Sequence, residues 1–390
     1  MAIPLKYSLR SVAVRKGSSA MAVGGIALVV VVFVTLLSLA AGFQRVVETS
    51  GSSRNVIVLR KGADAELQSQ VLRDTARAIS ELPVVATEKG QRLAVFESVI
   101  ILPRPKRSGG ETNITIRGTT PLARAVHAEA QLTNGRWYTP GSNEAVIGVG
   151  LARRLRDVGV GQVMAVGRHA WQIVGQFEAG GSALESELWM DGELLQSAFH
   201  RNGVFQSVLF RAAGSGREAA DRINALTETD LRLRAMQALT ETEYYQKQAK
   251  LMADVITILG GILTAIMSAG AIAGAMNTMY AAVSQRRREI GCLLAMGFTP
   301  TSIWLAFMVE SLTLAALGAA LGCAVSLGFH GMRTGMTNWA TFSETAFEFL
   351  VTPQILATAA VISLVMGFIG GVIPAFHAAR MKVVDAMRRA

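Results

Sequence analysis

Histidine, cysteine and carboxylate side chains are where this chain could do chemistry, and they are too scattered along the sequence to do it together. The five histidines, His127, His169, His200, His330 and His377, share no spacing that would close around a metal ion. No His-Glu-x-x-His or Cys-x-x-Cys run occurs, so the reading assigns no metal site. The G-x-x-x-x-G-K-[ST] phosphate loop is also missing, so these residues cannot hold ATP through a P-loop. Glu185, Glu187, Asp191 and Glu193 have the residue types of a general acid–base pair. They follow Gly180-Gly181-Ser182 and read as a solvated loop, so no catalytic residue emerges. Asp254 and Glu310 stand out differently, because each interrupts an otherwise uncharged apolar stretch.

Those stretches organise the rest. Hydrophobic residues make up 51% of 390 residues, and the mean hydropathy is +0.37. The excess is concentrated in Ala20–Phe43, Met252–Val283, Ser302–Phe329 and Pro353–Phe376. Each exceeds the roughly 20 residues needed to cross the hydrocarbon of a bilayer. The first is too long for the apolar core of a signal peptide and reads as a retained anchor. The expected fold class is an α-helical membrane protein with four transmembrane helices and a mixed α+β extracytoplasmic domain between the first and second.

Lysine and arginine set the orientation. Lys6, Arg10, Arg15 and Lys16 precede the first span, Arg286, Arg287 and Arg288 follow the second, and Arg380, Lys382, Arg388 and Arg389 follow the fourth. Between the third and fourth spans Arg333 stands with Glu344 and Glu348. Both termini and the middle loop therefore belong on the cytoplasmic side, with Gln44–Lys250 outside. The net charge of +10 is mostly this topology signal, and no motif supports nucleic-acid binding. Neither Cys292 nor Cys323 falls in the outer domain, which folds without disulfides.

The boundaries follow: residues 1–19 a basic amphipathic helix in the inner headgroup layer, 20–43 the first span, 44–250 the outer domain, and 251–283 the second span with an outward stalk. Residues 284–301 form a cytoplasmic loop, 302–329 the third span, 330–352 a short outer loop, 353–376 the fourth span, and 377–390 a cytoplasmic tail. Within the outer domain Asn55–Leu59 reads as strand and Asp64–Leu82 as helix ending at Pro83. Arg92–Leu102 and Asn113–Arg117 pair as a hairpin around a basic tip at 103–110, read as solvated. From Thr240 to Val283 no proline intervenes, which predicts one helix of roughly 65 Å.

Gly270/Gly274, Gly318/Gly322 and Gly367/Gly371 repeat at a spacing of four, suited to close helix packing or dimer contact. The loop Ser284–Pro300 is the most informative stretch. Ile290, Leu293 and Leu294 make an apolar face on a short helix, with Gly297 available as its C-cap. Such a helix suits a groove on a cytosolic partner. Glu310, about two turns into the third span, is expected to pair with an arginine of this loop.

Arg288-Glu289-Ile290-Gly291, then Leu294-Ala295-Met296-Gly297, Glu310-Ser311, Gly318 and Gly322, resemble the signature of MacB/FtsX-type ABC-transporter permeases. So do the tail Gly370-Gly371-Val372-Ile373-Pro374-Ala375 and, in the outer domain, Gly135-Arg136-Trp137 and Trp171-Gln172-Ile173-Val174-Gly175. The resemblance covers nearly the whole chain; Val383-Val384 departs from it where the family often has proline. It implies a bacterial inner-membrane homodimer bound to a separate ABC ATP-binding subunit, which would hold the ATP and Mg. Arg287, Arg288, Glu289, Ile290, Gly291, Leu294 and Gly297 would couple to that subunit. The implied function is export or extraction of a lipid, lipoprotein, peptide or hydrophobic small molecule on the outer side, with room for a periplasmic adaptor. The alternative is a regulatory permease controlling a cell-wall hydrolase or a sensor. A membrane-embedded hydrolase would need a catalytic set that the sequence does not offer.

Overall fold

The computed structural model describes residues 16–156, 158–337 and 344–383. The expected amphipathic helix at 1–19 lies outside them through residue 15, as does the tail from residue 384. Chain contacts divide the protein into a membrane unit (residues 1–41, 254–332 and 349–390) and an outer unit (42–253 and 333–348).

The helices are α1 Lys16–Thr49, α2 Arg73–Ser80, α3 Ala123–Val126, α4 Val149–Arg154, α5 Gly192–Ala198, α6 Gly216–Thr229, α7 Glu241–Gln285, α8 Arg287–Ala295, α9 Pro300–Leu327 and α10 Pro353–Ala379. Four of them, α1, α7, α9 and α10, contain segments long and apolar enough to cross a membrane. Helix α7 runs unbroken for 45 residues, about 67 Å at 1.5 Å per residue.

In the membrane unit the small residues behave unequally. A Cβ at Gly318 would lie 2.7 Å from Ile26 Cγ2, and one at Gly322 would lie 2.6 Å from Val30 Cγ1, so α9 meets α1 at backbone distance. Gly367 and Gly371 of α10 abut Ala315 and Ser311 of α9 in the same way. Ser311 Oγ donates to the Gly367 carbonyl at 2.6 Å and Ser363 Oγ to that of Ala315 at 2.8 Å. These bonds satisfy hydroxyls that hydrocarbon cannot. A Cβ at Gly270 or Gly274 of α7 would meet nothing within 4 Å.

The outer unit is built on one ten-stranded sheet. Its strands are β1 Asn55–Arg60, β2 Ala94–Pro105, β3 Glu111–Thr119, β4 Gln131–Gly135, β5 Glu144–Gly148, β6 Val163–Val166, β7 His169–Glu178, β8 Glu187–Asp191, β9 Ser207–Arg211 and β10 Met236–Thr240. Their order is β10-β1-β9-β2-β3-β8-β5-β7-β4, with β6 beside β7. The pairs β3/β8 and β5/β7 are parallel and the others antiparallel. Alternation along β3 sends Ile114 and Ile116 to one face and Thr115, Arg117 and Thr119 to the other. The first pair joins a core with Ile147, Trp171 and Leu188.

Two readings of the outer domain need correction, and a third gains detail. The helix expected over Asp64–Leu82 is broken into a 3-10 turn at Glu66–Gln68, a two-residue strand at Val71–Leu72, and α2. The break is imposed by contacts outside the segment. Ser69 Oγ accepts the Arg60 N–H at 2.8 Å, and Val71–Leu72 pairs with Val204–Phe205. The acidic cluster is not a solvated loop. Glu187 and Asp191 bound the central strand β8, Glu185 Oε1 accepts the Ala179 and Gly181 N–H groups, and Asp191 caps α5. The short outer loop at 330–352 contains a hairpin, β11 Arg333–Thr337 with β12 Glu344–Glu348, that belongs to the outer unit. Its Glu344 binds Lys106 at 2.7 Å, so the basic tip at 103–110 is anchored.

Candidate functional site

Two arrangements have chemistry beyond packing, one in each unit. In the membrane unit, Arg286 separates α7 from α8 in a non-helical conformation, φ −108° and ψ 15°, which ends one helix and begins the next. Gly297 terminates α8 at φ +91°, where a side chain would be strained. The Phe298 and Gly297 N–H groups then reach the Leu293 and Leu294 carbonyls, each at 3.1 Å, closing the αL end of the helix. Thr299 caps α9 and Pro300 opens it, a pairing of cap and N1 residue that sequence chemistry favours.

Helix α8 presents its residues differently from the sequence reading. Ile290 is 2% exposed and packs with Met279, Val283, Ile303, Phe307 and Ala378, with Leu294 partly buried beside them. Gly291 is buried too. The apolar face is thus turned into the protein's own helices because it follows the bundle's apolar stripe, and it is not offered outward. Arg287, Arg288, Glu289, Cys292, Met296 and Gly297 form the exposed face. Arg286 Nη1 donates to Glu310 Oε2 at 3.1 Å, and Arg286 Nε lies 3.7 Å from Glu289 Oε2. Glu310, with a side chain 5% exposed, therefore ties the start of α8 to α9.

In the outer unit one face of the sheet holds a buried ionic centre. Arg117 of β3 lies opposite Val99 of β2 and Trp189 of β8. Its guanidinium donates to Glu187 (2.7 Å from both Nε and Nη2), to Glu66 (2.9 and 3.0 Å) and to Glu97 (2.5 Å). Ser207 Oγ donates to Glu66 at 2.6 Å, Thr119 Oγ1 to Glu97 at 3.2 Å, and Trp189 Nε1 to Glu187 at 2.7 Å. The broken helix matters here, because the turn at Glu66–Gln68 delivers Glu66 to Arg117. Beside this centre a cavity of about 60 Å³ is lined by Phe43, Val46, Glu66, Arg117, Tyr244 and Gln248.

His127 follows α3 and extends the centre. It is 1% exposed and stacks obliquely on Trp189, with ring centroids 5.3 Å apart. Its Nε2 lies 3.5 Å from Glu97 Oε1, and its Nδ1 lies 3.5 Å from Glu241 Oε1 and 3.7 Å from Glu129 Oε1. Burial alone would depress the imidazole pKa, but Glu129, Glu97 and Glu241 hold it well above its ordinary value. Burial likewise opposes ionisation of Glu97, and the Arg117 and His127 charges outweigh it, pulling that carboxyl down to about 2. Glu241 goes the other way, its pKa raised chiefly by burial.

The histidine spacing gives no reason to group His127 with other residues, and no motif singles out Arg117, Glu66 or Glu97. One signal was available. Asn-Ile-Thr-Ile-Arg-Gly-Thr at 113–119 alternates strictly, which marks a strand and separates Arg117, with Thr115 and Thr119, from the apolar face of Ile114 and Ile116. Nothing in the sequence says that Glu66, Glu97, Glu187 and Glu241 converge on it.

Two family models match most of the chain. Residues 19–227 match the MacB-like periplasmic core domain and residues 261–383 the FtsX-like permease C-terminal domain. An uncharacterized ABC transporter permease, YknZ of Bacillus subtilis, is 25% identical over 71% of this chain and 70% of its own length. The macrolide export ATP-binding/permease protein MacB of Bdellovibrio bacteriovorus is 24% identical over 98% of this chain. The alignment spans 61% of that protein. MacB 1 of Yersinia pestis is 29% identical over 63% of this chain, which spans 38% of that relative. The crystal structure of the extracellular domain of YknZ aligns with 48% of this chain at 18% identity and a TM-score of 0.35.

Proposed function

Because this chain belongs to the MacB/FtsX-type family of ABC-transporter permeases, we propose that it transmits the motion of a separate ATP-binding subunit to its own outer domain. The work done there is export or extraction of an apolar substrate such as a lipid, lipoprotein, peptide or hydrophobic small molecule. Helix α7 carries the reading. It is unbroken from Glu241, in the outer unit, to Gln285, in the membrane unit, and one residue later the chain enters α8. A helix without proline or a cap inside it resists bending, so displacement of α8 is felt at the other end of α7.

Arg287, Arg288 and Glu289 are the exposed charges of α8 and serve as its contacts with the ATP-binding subunit, where ATP and Mg reside. The buried Ile290, Gly291 and Leu294 act by seating α8 on the bundle, so a push on α8 becomes a push on α7 and α9. The Arg286–Glu310 ion pair fixes that seat. The unit works as a homodimer in the inner membrane with both termini cytoplasmic. The open stripe of Gly270 and Gly274 on α7 is available to the second copy or to lipid.

Purification of the tagged chain from its native membranes, followed by ATPase assay of the complex, tests this. The wild-type chain should bring an ATP-binding subunit with it. Glu289→Lys, which reverses the charge beside Arg286, should leave insertion intact and sever ATP hydrolysis from transport. Thr257→Pro, within α7, should do the same without loosening the ATP-binding subunit. Wild-type transport by both variants, or a preparation without an ATP-binding subunit, would overturn the reading.

A further inference from the structure

We propose that the outer domain carries a binding site for one divalent transition-metal ion of the zinc type, formed by His127 Nδ1, Glu129 Oε1 and Glu241 Oε1. The three donor atoms lie within 4.8 Å of one another. Adjacent ligands of a tetrahedral zinc with bonds of about 2.1 Å are about 3.4 Å apart. The observed 3.5 Å and 3.7 Å from Nδ1 are therefore within a few tenths of an ångström of the required spacing. An imidazole with two carboxylates is a nitrogen–oxygen donor set suited to such an ion, and water would complete the four.

The unsatisfied atoms point the same way. Both ring nitrogens of His127 and Oε1 of Glu129 are buried without a hydrogen bond. The carboxylates around the imidazole lie 3.5–3.7 Å from its nitrogens, and an ion that displaces the Nδ1 proton would replace these long contacts at Nδ1 with direct bonds.

The surroundings then have the arrangement of an outer shell around metal ligands. His127 Nε2 faces Glu97 Oε1 at 3.5 Å, which orients the ring and directs Nδ1 to the site. Glu241 Oε2 is held by the Asn55 side-chain amide at 2.8 Å and the Ser52 N–H at 2.9 Å, leaving Oε1 for the ion. Glu129, with a side chain 29% exposed, gives the route of entry. Carboxylates outnumber cations throughout this centre, so a divalent ion would reduce the imbalance. Its position would also fasten Glu241, the first residue of α7, to the loop after α3.

The test is zinc binding by the full chain, purified in detergent through a tag without histidine and stripped with chelator. The wild-type chain should take up one Zn²⁺ per chain, measured by elemental analysis after dialysis, and its melting temperature should rise with added Zn²⁺. Glu129→Gln should bind at least about tenfold more weakly and lose that rise. Because Glu129 is partly exposed, the variant should melt with the wild type in chelator, which separates a lost ligand from a lost fold. A wild-type chain that binds no stoichiometric zinc, or a Glu129→Gln chain that binds it equally well, would overturn the proposal. The outcome does not depend on whether an ATP-binding subunit is present.

Discussion

The outer unit buries Glu66, Glu97, Glu187 and Glu241 around Arg117 and His127, whereas the membrane unit brings its helices together through residues with almost no side chain. Glu310 is its single buried carboxylate among the described residues. The two units therefore gain specificity by different means. In the outer domain a misplaced strand would leave a charge without its partner, so the sheet's register is checked by electrostatics. Between membrane helices a charge is expensive in every arrangement, and close backbone approach at glycine selects the packing instead.

The contrast can be broken most forcefully at Arg117. Arg117→Leu strands Glu66, Glu97 and Glu187 inside the sheet, and losing one partner of a buried pair costs about 3–5 kcal/mol. Denaturation of the variant in detergent should show the outer domain unfolding far earlier than in the wild type. Unchanged stability would mean that the ionic centre does not hold the register.

A smaller effect is expected in the membrane unit, where two substitutions of the same kind should part company. Gly322→Leu drives a side chain into Val30 and the Ala27 carbonyl, and overpacking of this kind costs about 1–3 kcal/mol. A Cβ at Gly270 has nothing within 4 Å, so Gly270→Leu should leave the thermal stability of the chain nearly unchanged. Cross-linking of Gly270→Leu then sharpens the point: lost dimer with an intact monomer would assign that stripe to the second copy. Equal destabilisation by both would contradict the packing described for α9.

The smallest effect is expected at the surface. Arg136 hydrogen-bonds the Glu144 carboxylate, overcoming slight burial, and holds its pKa at about 2 against an ordinary 4.5. A depressed carboxylate stabilises the fold above its ordinary pKa, and that contribution fades as pH falls from 4.5 through about 2. Glu144→Gln should accordingly cost less than about 1 kcal/mol near neutral pH, and the difference from wild type should vanish below pH 2. A loss comparable to that of Arg117→Leu would erase the distinction between exposed and buried pairs.

Legibility in the sequence follows the same division. The four apolar helices could be read directly, because crossing hydrocarbon requires an uninterrupted run of apolar residues with charge confined to the ends. The existence of α8 was legible from Ile290, Leu294 and Gly297, but its facing was not. Periodicity gives an apolar stripe without saying whether the protein or a partner covers it, and Ile290 is covered by Met279 and Phe307. The outer domain's strands over 55–59, 92–102 and 113–117 were readable from β-branched runs. Its helix at 64–82 was misread because Ser69 and Val204–Phe205, not local propensity, decide the path there.

By itself, then, the sequence determined the four apolar helices, the family resemblance and the alternation that sets Arg117 apart from Ile114 and Ile116. Each rests on patterns within a few turns or a single strand. Only the tertiary structure decided that residues 66, 97, 117, 127, 187 and 241 share one centre, and that β11 and β12 belong to the outer unit. Such convergence depends on the order in which strands pair, and strand order is set by contacts between residues far apart in the chain.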